Sequence, residues 1–216
     1  MPVEPAIKHA MAFIDGQNLY QHAKDAFGHH HPNYDLTKLH RAVCQLHGWT
    51  PNLVRFYTGV PSARESPMWA SYWAKRLLYM KRAGIHVTSR PLRYRKETTI
   101  DAVGNEVVVV TPQEKGIDIR LALDVVSTAR TRQCNVAVIF SQDQDLAEVV
   151  QEVRAIAKEQ DRWLEICCAF PYGPAASSGR GIEGTKWCRM DQAFYDACLD
   201  PMDYRPKRQA GPQDSN

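Results

Sequence analysis

The chain is predicted to be an α/β protein with a mostly parallel sheet sandwiched by helices, and three observations carry that reading. Short β-branched and apolar runs alternate with stretches of helical spacing from about residue 10 to 170. One run, Val136-Ala-Val-Ile-Phe140 after Asn135, is continuously apolar, as a strand buried on both faces is. It stops abruptly at Ser141, Asp143 and Asp145, and helical spacing follows at once. In open parallel sheets chemistry collects beyond the carboxyl ends of the strands. A hydroxyl and two carboxylates are therefore delivered to the place where such folds keep their sites.

Taken in order, Ala10–Asp15 reads as the first strand, with Gly16 permitting a tight turn out of it. A helix is expected from about Leu19 to Phe27, ended by Gly28, and His29-His30-His31-Pro32 reads as a polar loop. Adjacent histidines do not converge on one ion, so a metal site there is not favoured. Leu36, Leu39, Val43 and Leu46 space a second helix that Gly48 stops. Asn52–Gly59 is a strand, and Ser66–Ala83 a long helix ending at Gly84. Its aromatics Trp69, Tyr72, Trp73 and Tyr79 read as packing residues rather than a stacking platform, and could also supply a homodimer interface.

Ile85–Ser89 is a third strand, and residues 90–110 form an inserted β-hairpin turning at Gly104-Asn105. On it, Arg93 and Arg95 share one face, with Lys96 beside them. They suit either a phosphate backbone or a solvated edge kept from aggregating by its charge. A helix opens after Lys115, with Ile117, Leu121 and Val125 apolar and Asp118 in its first turn. The Asn135–Phe140 strand, a helix over 146–159 and a strand over 163–170 follow. A Gly/Pro/Ser loop spans 171–186, a terminal helix covers about 189–199, and a polar, Pro-rich tail from Asp203 is expected to be disordered. One domain over 8–200 results.

Composition narrows the partners only a little. A formal net charge of +3 allows a nucleic-acid partner without arguing strongly for one. No apolar run is long enough to span a membrane. The opening Met-Pro-Val-Glu-Pro-Ala lacks the basic segment and apolar core of a secretion signal. Six cysteines form no CxxC pair and no zinc ladder, so free thiols in a reducing cytoplasm are expected.

Four carboxylates hold comparable places: Asp15 at the end of the first strand, Asp143 and Asp145 after the fourth, and Asp118 near a helix start. With the first and fourth strands adjacent, they would converge on one crevice. Uncompensated, such a cluster repels itself and raises its own pKa values. Mg2+ or Mn2+ relieves this, preferring oxygen ligands and completing its shell with water and phosphate. Each residue also has a plainer explanation. Asp145 with Glu148 fits a capping box, the helix dipole alone favours Asp118, and Asp15 and Asn18 suit a turn. Asp124 lies roughly 120° around the helix from Asp118 and is set aside.

Phe13-Ile-Asp-Gly-Gln-Asn-Leu-Tyr20, Lys115-Gly-Ile-Asp-Ile-Arg-Leu-Ala-Leu-Asp124 and Ser141-Gln-Asp-Gln-Asp-Leu146 resemble the three successive motifs of the NYN domain family. These are PIN-like proteins related to LabA. The resemblance implies a three-layer α/β/α PIN-like fold and Mg2+- or Mn2+-dependent endoribonuclease chemistry on RNA, single-stranded by expectation. It makes Asp15, Asp118, Asp143 and Asp145 the acidic ring, has Asn18 and Ser141 orient ligands or water, and turns Lys115 toward a phosphate. Arg93, Arg95 and Lys96 would guide the RNA. The chain departs from the family at Leu146, where Phe is usual, and at Gln142 and Gln144, where small residues are common. A binding module on the same fold is the main alternative. An aspartate-nucleophile phosphatase is disfavoured, because its acid–base carboxylate would stand at position 17, which is Gln.

Overall fold

The computed structural model describes residues 2–100 and 104–206. The chain runs β1 (His9–Asp15), α1 (Gly16–Phe27), α2 (Leu36–His47), β2 (Thr50–Val60), α3 (Pro67–Arg82), β3 (His86–Pro91), β4 (Arg93–Ile100) and β5 (Glu106–Gln113). It continues through α4 (Ile117–Arg130), β6 (Val136–Phe140), α5 (Ala147–Glu159), β7 (Glu165–Pro171), β8 (Lys186–Met190) and α6 (Gln192–Asp196). A 3-10 turn at Gln144–Leu146 leads into α5.

Six strands form one sheet in the order β3-β2-β1-β6-β7-β8, every pairing parallel. Strand alternation divides β1 between two cores. Ala10, Ala12 and Ile14 pack with α2 and α3 through Leu39, Val43, Tyr72 and Leu77. Met11 and Phe13 pack with α4 and α5 through Leu121, Val125, Val150 and Val153. The result is the three-layer α/β/α sandwich. The chain lays strands outward from β1 on one side and then returns to build the other side from β6. Between them opens the crevice where a parallel sheet gathers its chemistry.

Gly16 serves a purpose other than the expected turn. Asp15 caps α1 by accepting the Asn18 N–H at 3.0 Å, so the helix starts at Gly16 rather than near Leu19. A Cβ at Gly16 would press into the Phe56 ring and meet the Tyr57 carbonyl oxygen at 3.0 Å. Space, not a left-handed φ, demands glycine. Gly16→Ala should cost about 2 kcal/mol in chemical denaturation; unchanged stability would contradict this packing.

Four further expectations change. The helix expected over 189–199 is a short strand, β8, followed by the single turn of α6. Cys188 and Met190 are buried while Lys186, Trp187 and Arg189 are exposed, a two-residue alternation broken when Asp191 caps α6. The hairpin is a separate two-stranded sheet whose second strand runs on to Gln113, because Thr111–Gln113 pair with Arg93–Arg95. Residues 101–103 between its strands lie outside the described residues. The polar tail does not begin at Asp203: Tyr204 is buried in the α3 core, edge-on to Tyr72, and only 207–216 lie outside the described residues. On α3, Tyr72 and Trp73 are packing residues, whereas Trp69 is half-buried and Tyr79 exposed. All six cysteines are free and buried. Among the described residues, no helix is long and apolar enough to cross a membrane.

Candidate active site

β1 and β6 lie side by side and end together, and beyond them opens a hollow of about 340 Å³. Asp15, Asp118 and Asp143 line it with Gln17, Asn18, Gln21 and a fourth carboxylate, Glu114. Each acid arrives by a different local device. Asp15 ends β1 and caps α1. Asp143 is held by the 3-10 turn, accepting the Asp145 N–H at 3.0 Å while its own N–H donates to Ser141 Oγ at 3.2 Å. Asp118 stands in the first turn of α4, where the helix dipole favours a negative charge.

Two side chains hold this floor. Ser141 Oγ–H donates to Asp15 Oδ2 at 3.4 Å, and Asn18 Oδ1 accepts the Gln142 N–H at 2.9 Å. The second contact ties α1 to the segment after β6. Asn18 and Ser141 thus act on the backbone and on Asp15. Lys115 is exposed and does not line the hollow.

Glu114 was missed by sequence reasoning. Its carboxylate accepts the Gly59 N–H at 2.5 Å, and a Cβ on Gly59 would meet that same oxygen at 2.6 Å. Glycine at the end of β2 therefore makes room for the acid. Nothing local in Thr-Pro-Gln-Glu-Lys-Gly marks it; the only available signal was a carboxylate four residues before Asp118.

Asp145 is exposed and lies outside the hollow. The capping box drawn for it with Glu148 does not form either. Asp143 is the cap, of the 3-10 turn, and α5 opens at Ala147 behind Leu146, which supplies no side-chain cap. Asp124 is committed elsewhere: it accepts from the Tyr57 hydroxyl at 2.8 Å and pairs with Arg120 at 2.5 Å and Arg55 at 3.4 Å.

The site's electrostatics follow from burial. Asp15 is 8% exposed, and burial, with repulsion from Asp143, pushes its pKa up to about 6 against the opposing Asn18 and Gln17 N–H and Ser141 hydroxyl. Burial, with repulsion from Asp15 and Asp118, pushes Glu114 up to about 7 against its bond from Gly59. Both acids therefore hold protons at pH values where an exposed carboxyl is ionised.

Gln142 and Gln144 leave the hollow floor clear. Gln142 Nε2 donates to the carbonyls of Ser178 and Arg180 at 3.2 and 2.7 Å, and Gln144 Nε2 to that of Gly181 at 3.1 Å. Both glutamines clip the 172–185 loop. On the hairpin, Arg93 and Arg95 face away from Tyr94, and Arg95 pairs with Glu97 at 3.0 Å. Lys96 shares the Tyr94 face and stands opposite Val110.

An all-oxygen donor set with two raised carboxyls suits a hard divalent cation. Among the described residues no three acids close on a single point. That spacing is compatible with Mg2+, which binds through one or two carboxylates and keeps water and phosphate in its remaining positions.

The fold is similar to that of a solved structure. A protein of unknown function, VPA0982 from Vibrio parahaemolyticus, is similar at 15% identity with a TM-score of 0.51, over 89% of this chain and 99% of that one. The likeness concerns the fold alone. Ribokinase from Giardia lamblia aligns at 10% identity with a TM-score of 0.38, over 82% of this chain and 54% of that one, too distantly to bear on the site. No curated protein matches. The family model of the NYN domain matches residues 9–160, from β1 through α5 and across every acidic segment described above. The chain belongs to the NYN domain family and has its PIN-like fold.

Proposed function

We propose that the protein is a divalent-metal-dependent endoribonuclease that hydrolyses phosphodiesters of single-stranded RNA. The observation that carries this is the meeting of Asp15, Glu114, Asp118 and Asp143, from three chain segments, in one hollow at the carboxyl end of the sheet. Bound Mg2+ or Mn2+ supplies Lewis acidity there, acidifying water and offsetting phosphate charge. Asp15 and Asp143 would offer it oxygens and Asp118 would meet its bound water, with Ser141 and the Asn18 N–H fixing the angle of Asp15. Glu114 exchanges its proton near neutrality and takes the proton of the attacking water. Free, buried thiols support a reducing, cytoplasmic setting.

Purified protein with Mn2+ should cut a single-stranded RNA, and Asp143→Asn should lower the rate at least about a hundredfold. Equal rates for the two would remove the hollow from the chemistry. The spacing of the carboxylates favours a second reading, an RNA-binding module that does not cut. RNA binding that persists in EDTA, with no turnover in Mn2+, would establish it.

A further inference from the structure

Beside the acidic hollow lies a larger cleft of about 520 Å³ between α1, the start of α3 and the base of the hairpin. The aromatic rings of Tyr20, Trp69, Trp73 and Tyr94 line it. Gln17 and Gln21, one turn apart on α1, line both the cleft and the hollow, so the two spaces share a wall. Two rings are fixed at their hydroxyls: Tyr20 donates to the His30 carbonyl at 3.0 Å, and Tyr94 accepts the Ser62 N–H at 3.0 Å. Trp69 is held edge-on by Tyr72, with 5.3 Å between ring centroids.

We propose that this cleft is a nucleobase subsite, taking one unstacked base of the RNA strand whose phosphate lies at the acidic hollow. The proposal rests on the nuclease site above and adds the place where one base of the strand is held. Aromatic side chains recognise single-stranded RNA by stacking splayed bases, whatever the sequence. The exposed Gln17 side chain on this shared wall is the polar group offered to a bound nucleotide, whereas Gln21 Nε2 donates to Asp25 at 2.9 Å. Lys96 on the cleft face of the hairpin supplies positive charge beside that path. A paired base cannot enter without leaving its helix, so the cleft selects against duplex.

The test is fluorescence polarisation of a labelled single-stranded oligoribonucleotide and of its duplex, in EDTA so that the strand stays whole. Trp69→Ala should weaken single-strand binding about tenfold and leave duplex binding unchanged, with Tyr94→Ala acting in the same direction. Trp69→Phe, which keeps a ring, should retain most of the affinity, and circular dichroism checks folding. Single-strand affinity unchanged in both alanine variants overturns the subsite, as does equal weakening for duplex. Cleavage by the unaltered protein in Mn2+ reads the acidic hollow independently: cutting with unchanged Trp69→Ala binding means the base site alone fails. Tenfold weaker binding without any cutting upholds the base site and rejects the nuclease.

Discussion

Asp15→Asn should abolish RNA cleavage and at the same time make the protein harder to unfold. The two effects have one cause. Asp15 is buried and its pKa rises from an ordinary 3.8 to about 6. Between those values folded Asp15 binds more protons than unfolded Asp15, so its share of the stability falls as pH rises through the window and levels off above about 6. Each unit is worth about 1.4 kcal/mol, which places the relief at pH 8 at roughly 2–3 kcal/mol. Asparagine still accepts the Asn18 N–H, so the α1 cap survives the change. Thermal melts at pH 5 and pH 8 should therefore diverge for the unaltered protein and run closer together for the variant. Mn2+ should raise the melting temperature of the first at pH 8 and not of the second. A variant less stable than its parent at pH 8 would show that the charge at Asp15 supports the fold rather than a ligand.

Arg76→Ala should cost about 3–5 kcal/mol, the largest stability loss foreseen for one side chain. Arg76 is 1% exposed, and among the described residues no carboxylate lies within ion-pair distance. Its guanidinium donates to the Pro32 carbonyl, the Tyr72 hydroxyl and, at 2.6 Å, the Tyr34 carbonyl. The rings of Tyr34, Tyr72, Trp73 and Tyr204 surround it, with centroids 4.9 to 5.8 Å away. Carbonyls and π faces replace the missing anion. Truncation strips the Tyr34 carbonyl of its donor, leaves the Pro32 carbonyl to the Tyr72 hydroxyl alone, opens a cavity and frees the C-terminal segment that Tyr204 pins. It also reaches the site, because the Tyr34 hydroxyl donates to the Gly16 carbonyl beside Asp15. Denaturant midpoints measure the loss, and Arg76→Lys, without the planar fork, should fall between. A loss under 1 kcal/mol would mean the aromatic box stands unaided.

The sequence exposes those parts of the molecule that depend on local pattern. The β1 and β6 runs, the glycine stops at Gly28 and Gly48 and three of the four hollow acids sit in stretches whose spacing declares them. What it hides depends on distance. Glu114 is defined by Gly59, fifty-five residues away, and in its own stretch it looks like any solvated loop acid. Asp145 looks equivalent to Asp143, yet one 3-10 turn aims them differently. β8 is too short for its alternation to stand out from the helix that follows. Tyr204 carries no sign of burial until α3 lies beneath it. Gln142 and Gln144, larger than the residues common there, are explained only by the loop carbonyls they hold.

The central place of β1 has a consequence for how the chain is made. Its neighbour on one side, β6, begins at Val136, which pairs with Ala10 across 126 residues. At about 5–20 residues per second, a ribosome takes roughly 6–25 s to supply that neighbour. Throughout that interval the most apolar strand of the nascent polypeptide presents a bare hydrogen-bonding edge. Safe biogenesis must therefore depend on shielding Ala10–Ile14 by a chaperone or by early docking of α2 and β2.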